Sequence, residues 1–98
     1  MRIIAKRALR QFWEKHPRSK APLILWYQLV SKADWTCWAD VKEMFGSADS
    51  IGDDRIIFDI GGNKYRLVVR VSYSFRAVMV KFVGTHADYD KVNPETVQ

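Results

Sequence analysis

The sequence has little of what usually builds a covalent or metal framework. Cys37 is its one cysteine, so an internal disulfide is excluded, and a lone thiol cannot hold a metal by itself. No His and Cys residues fall at metal-ligand spacing, and no glycine-rich loop leads into a helix. A paired-carboxylate set for acid–base work is missing too. No apolar run approaches the roughly 20 residues of a membrane-spanning helix, and Met1-Arg2-Ile3-Ile4 is too short and too soon charged to be a signal peptide. Internal repeats and low-complexity tracts are absent. These gaps point to a protein of the reducing cytoplasm, without a cofactor, a metal or a membrane segment.

The 98 residues suit a single domain spanning 1–98, with 48% hydrophobic and 28% charged side chains. Charge is unevenly placed. Residues 1–20 hold seven Lys or Arg against Glu14 alone, whereas residues 21–98 hold nine against ten Asp or Glu. A basic segment of this kind attracts nucleic acid or an acidic partner, and salt weakens the attraction. Its blander reading is a solvated helix face.

The period of the apolar residues sets the elements. Met1 to Ile4 reads as a short edge strand. Ala5, Ala8, Leu9, Phe12 and Trp13 then recur at helical spacing and leave Lys6, Arg7 and Arg10 facing outward. Pro17 ends this helix near His16. A second helix runs from after Ser19 to about Ala33 with Leu23, Trp26, Val30 and Ala33 on its buried stripe, and the two form a hairpin. Trp38, Val41, Met44 and Phe45 mark a short third helix stopped by Gly46. Ser47 to Asp54, with three aspartates, reads as a mobile loop, and Asn93 to Gln98 as a frayed end. Cys37, between tryptophans, reads as packed.

Three runs rich in Val, Ile and aromatics follow from Arg55 to Thr85, separated by Gly61-Gly62-Asn63 and Ser74-Phe75-Arg76. That is an antiparallel meander. Alternation places Ile56, Phe58 and Ile60, then Tyr65, Leu67, Val69 and Val71, then Val78, Val80 and Phe82 on a core face. The helices cover that face, giving an α+β architecture. The other face, left open, carries Arg55, Lys64, Arg66, Arg70 and Lys81.

Cations gathered on one sheet face suit a phosphate, and Arg is shaped for bidentate contact with it. Asp59, on the same strand as Arg55, is the expected partner of that arginine. His86 and Tyr89 stand where the last strand ends, three residues apart and on one side of a helical turn. A His can serve as acid or base near neutral pH. An enzyme built on these groups would act on a phosphodiester without a metal.

Phe58-Asp-Ile-Gly-Gly-Asn-Lys-Tyr-Arg-Leu-Val69 and Phe82-Val-Gly-Thr-His-Ala-Asp-Tyr-Asp-Lys91, with the opening Ala5 to Pro17 and the Leu25-Trp-Tyr27 and Ala33-Asp-Trp35 segments, resemble the HigB-type toxins of bacterial toxin–antitoxin modules. These are small members of the RelE/ParE-like superfamily, and the resemblance covers nearly the whole chain. It implies a RelE-like fold: an N-terminal helix hairpin on one face of a small antiparallel sheet, with a short third helix. It also implies an mRNA interferase that cuts messages on the ribosome to inhibit translation and is restrained by a HigA-type helix-turn-helix antitoxin. Position by position, Arg66 resembles the superfamily's phosphate-binding arginine, while His86 and Tyr89 occupy the place of its catalytic basic residue and tyrosine. The first hairpin strand departs from the pattern, offering Arg55 and Asp59 where some relatives have two lysines.

The expected reaction is attack of an RNA 2′-OH on its own phosphate. His86 and Tyr89 would handle protons in an order left open, and Arg66 would offset transition-state charge. Arg55, Lys64, Arg70 and Lys81, with Lys6 and Arg10 on the first helix, are the expected substrate contacts. The alternative is a non-catalytic ParE-like inhibitor of gyrase, since one fold hosts both. A plain RNA-binding module is disfavoured because the open face lacks an aromatic pair for base stacking.

Overall fold

The computed structural model describes residues 1–98. The chain opens with β1 (Arg2–Ile4), α1 (Lys6–Lys15), α2 (Lys20–Lys32) and α3 (Trp38–Met44). It continues through β2 (Asp49–Ser50), β3 (Arg55–Ile60), β4 (Tyr65–Ser72), β5 (Ala77–Thr85) and the single turn α4 (His86–Tyr89). The five strands form one sheet in the order β1-β5-β4-β3-β2. Strands β3, β4 and β5 are the expected meander, and β1 joins its edge parallel to β5.

Helix ends follow local chemistry. His16 closes α1 by donating its N–H to the Phe12 carbonyl at 2.9 Å, and Pro17 opens a single 3₁₀ turn that leads into α2. Pro22 sits in the first turn of α2, where no intrahelical N–H partner is needed. Leu9 of α1 and Leu23, Trp26 and Val30 of α2 are buried against Ile56, Phe58, Ile60, Leu67, Val69, Val71 and Val78 of the sheet. Phe58 anchors this layer: the rings of Trp26, Trp35 and Phe45 lie 5.4, 6.3 and 5.1 Å from its own. Each large side chain buried here contributes roughly 1.5–3 kcal/mol.

Several expectations need correction. The stretch read as a loop contains β2, which adds two residues to the free edge of β3. Asp49 has low strand propensity, and it is the open edge of β3 that recruits it with Ser50. The C-terminal end is not frayed. Thr96 and Val97 donate N–H groups to the Asn93 carbonyl, and the Pro94 and Val97 carbonyls accept from Arg55 at 3.0 and 2.7 Å. Cys37 is exposed rather than packed.

A β-bulge in β5 changes which residues share a face. Val69 pairs with Val80 but Val68 pairs with Phe82, so Lys81 has no partner in the ladder. Beyond the bulge the alternation inverts. Val83 packs against the core, while Phe82 and Gly84 fall on the side of Val68 and Arg66. One extra residue in a strand has this effect because side chains alternate with a period of two.

Candidate active site

The four-residue turn Gly61–Lys64 joins Ile60 to Tyr65 and so fixes the register of β3 and β4. Gly61, Gly62 and Asn63 all have positive φ, at 64°, 64° and 91°. Glycine takes up such a backbone without strain, and asparagine is among the few other residues that do so with any frequency. The turn therefore needs glycine or asparagine at these three positions. It sets Asp59 directly opposite Arg66.

Arg66 lies at the centre of the site. Its Nη1 sits 3.2 Å from Asp59 Oδ1 and donates to the carbonyls of Asn63 at 3.3 Å and Tyr65 at 3.5 Å. The side chain is only 14% exposed, and its Cζ lies 5.9 Å from the centre of the Tyr89 ring. One corner of the guanidinium is thus anchored to protein, while Nε and Nη2 make no hydrogen bond within it. A planar fork held in this way is suited to accept two oxygens of a phosphate.

The α4 turn brings the remaining groups. Thr85 caps it: its Oγ1 accepts the Asp88 N–H at 3.2 Å, and Asp88 Oδ2 accepts the Thr85 N–H at 3.3 Å. This capping box satisfies two orphan donors and holds the turn against the end of β5. Tyr89 then faces Arg66, and His86 Nε2 lies 3.4 Å from Asn63 Oδ1. Gly84 is required beside them. A Cβ there would come within 2.5 Å of the Phe82 ring and 2.9 Å of the Asp88 side chain.

Arg66, His86 and Tyr89 are therefore brought together at one end of the sheet. The wider set of cations is not. Arg55 is buried at 7% exposure and spends its guanidinium on the C-terminal carbonyls, so it is withdrawn as a substrate contact. Asp59 pairs across strands with Arg66 and not along its own strand with Arg55, because four residues of strand span about 13 Å. For the same reason Arg70 stands about 13 Å along β4 from Arg66, and its partner is Asp53 at 3.5 Å. Lys81 sits in the bulge, and Lys64 is exposed in the turn.

Lys6 and Arg10 are exposed on α1, which packs on the core side of the sheet, away from Arg66. Lys6 Nζ lies 4.7 Å from the centre of the Tyr27 ring, and Arg10 lines a shallow cleft with Trp13, Glu14, Pro17 and Lys20. His16 stacks on Phe12 at 4.4 Å as a helix-end residue. Asp59 and Asn63 were missed as parts of the site. A register count back from the four-residue turn would have found Asp59, whereas nothing in the sequence separates Asn63 as a turn former from Asn63 as a partner of His86.

A RelE-like fold with an arginine, a histidine and a tyrosine gathered at the end of the meander defines a class, and the chain belongs to it. Residues 19–92 match the HigB toxin family, described as the RelE-like toxic component of a toxin–antitoxin system. An antitoxin partner follows from that membership. Among individual proteins, the chain is 29% identical over 92 residues to the mRNA interferase toxin HigB of Escherichia coli K12, covering 92% of this chain and 88% of that one. It is 24% identical over 94 residues to the mRNA interferase HigB of Escherichia coli O6:H1, covering 94% and 91%. No helix is long and apolar enough to cross a membrane.

Proposed function

We propose that this chain is an mRNA interferase, an endoribonuclease that cuts messages in the cytoplasm, on the ribosome, and so inhibits translation. The observation that carries the reading is the half-anchored guanidinium of Arg66, set against Tyr89 and linked through Asn63 to His86. The relatives named as mRNA interferases support the same substrate class. The RNA 2′-OH attacks the adjacent phosphorus, the bond to O5′ breaks, and a 2′,3′-cyclic phosphate remains on the upstream fragment. Only RNA has the attacking hydroxyl. Arg66 offsets the charge that builds on the equatorial oxygens, while His86 and Tyr89 move the two protons.

Lys64, Arg70 and Lys81 contact the flanking backbone, and Lys6 and Arg10 on the far face add salt-sensitive attraction for phosphate. A HigA-type helix-turn-helix protein is the antitoxin in this account. The gyrase-directed alternative requires none of the three clustered side chains. Brief induction followed by mapping of transcript ends tests the proposal. The native chain should arrest growth and leave messages cut internally, and Arg66→Ala and His86→Ala should each slow cutting by about 10²–10³-fold. Undiminished arrest and cutting by both variants would remove these residues from the mechanism.

A further inference from the structure

Three features stand outside the account so far: the exposed ridge of Leu25 and Leu29 on α2, the ring of Phe82 on the Arg66 face, and Asn63. The ridge lacks any sign of what covers it, and Phe82 lies over Gly84 without a mark of a ligand. Asn63 touches two members of the site through separate atoms.

Asn63 occupies a position with φ of 91°, where glycine would fit the backbone at least as well, and the chain already uses glycine at the two preceding positions. The asparagine is placed so that its two oxygens serve two different groups. The backbone carbonyl accepts from Arg66 Nη1 at 3.3 Å, and Oδ1 faces His86 Nε2 at 3.4 Å. With the amide turned this way Oδ1 can only accept, so the contact becomes a hydrogen bond when Nε2 carries the proton. The neutral imidazole is then the Nε2–H form, with its lone pair on Nδ1.

The charged and titratable groups nearby do not compete for the ring. Asp88 is turned back onto the Thr85 N–H, Asp59 is held by Arg66, and Tyr89 lies against the Arg66 guanidinium. Lys64 on the turn and Asp90 after α4 are exposed, and neither is bonded to the ring.

We propose that Asn63 is the positioning residue that makes His86 the general base. By holding Nε2–H, it leaves Nδ1 to take the proton of the 2′-OH as the new O–P bond forms. Tyr89 then gives its hydroxyl proton to the departing O5′, and exchange with solvent restores both groups. This inference rests on the nuclease reading and fixes the proton order that reading leaves open.

Asn63→Gly and Asn63→Asp separate it from a purely structural role. Glycine keeps the turn and its carbonyl while removing Oδ1, and aspartate keeps an acceptor while adding charge. Given a message bound to purified ribosomes, purified protein should cut it with kcat lowered at least ~10-fold in Asn63→Gly and KM little changed, within the range general acid–base catalysis commands. In Asn63→Asp, the acid limb of the pH–rate profile and the His86 midpoint followed by NMR should both move up by about one pH unit, because a nearby carboxylate favours the imidazolium. Full kcat in Asn63→Gly, or an unmoved His86 midpoint in Asn63→Asp, overturns the proposal while leaving the nuclease reading intact. Failure of the native chain to cleave any RNA overturns that reading and the base assignment with it, and the midpoint still decides whether Asn63 holds the ring.

Discussion

Tyr89 offers the clearest separation of roles at the level of single residues. Its ring packs on Arg66, a cation–π contact of about 0.5–2 kcal/mol, and its hydroxyl is free to take part in proton transfer. Tyr89→Phe keeps the first and loses the second. Single-turnover cleavage by Tyr89→Phe should fall about 10²-fold or more while RNA affinity, read by fluorescence anisotropy, stays near that of the native chain. Tyr89→Ala should lose affinity as well. Equal cleavage by Tyr89→Phe and the native chain would assign the hydroxyl no part in the chemistry. The same residue scale shows why a count of cations misleads. Arg55, Arg66 and Arg70 share a face by alternation, yet they answer to three different partners: the C-terminal carbonyls, Asp59 and Asp53.

At the scale of elements, the helices and the meander were legible because their signals are periodic and long. Leu23, Trp26 and Val30 announce one face of α2, and Ile56, Phe58 and Ile60 one face of β3. The bulge in β5 was not legible. From Ala77 to Val83 both alternating sets are largely apolar, so either could line the core, and only the pairing with β4 decides. The C-terminal segment was hidden for a different reason. Its order comes from Arg55, a residue 39 positions from Pro94 and 42 from Val97, through bonds to backbone carbonyls that no side-chain pattern encodes. Arg55→Ala should therefore release that segment and cost about 1.5–3 kcal/mol per charge-assisted bond lost, before any compensation by water. The denaturant midpoint should fall, residues 93–98 should become protease-sensitive, and single-turnover cleavage should stay close to native. A large loss of cleavage with unchanged stability would instead return Arg55 to the substrate site.

Across the whole molecule, stability should narrow at both ends of the pH scale. The Asp40 carboxyl at the start of α3 is held below its ordinary range by the Thr36 backbone N–H and hydroxyl, which lie 2.9 and 3.0 Å from its Oδ2. A depressed carboxyl stabilises the fold above its unfolded pKa, and this contribution is lost as pH falls through the folded value. The Tyr73 phenol is pushed up by burial, then by the charge of Asp54. A raised phenol leaves the fold unpenalised below the ordinary tyrosine range near ~10 and weakens it as pH rises beyond. Denaturation curves across pH should show the acid loss reduced in Thr36→Ala and the alkaline loss reduced in Tyr73→Phe. Identical curves for native and variant chains would contradict these assignments. Charge is also organised at this scale. The basic α1 lies on the core side of the sheet while Arg66 faces the other way, so long-range attraction for RNA and the chemistry occupy different surfaces.

The central claim is that Arg66, His86 and Tyr89 activate a 2′-OH against its own phosphate. A short message carrying a single 2′-deoxy nucleotide immediately upstream of a mapped cut, loaded on purified ribosomes, tests this most directly with purified native protein. The account predicts that cutting at that bond stops, continues at unmodified bonds, and leaves 2′,3′-cyclic phosphate ends wherever it occurs. Cleavage of the 2′-deoxy bond at the native rate would contradict it.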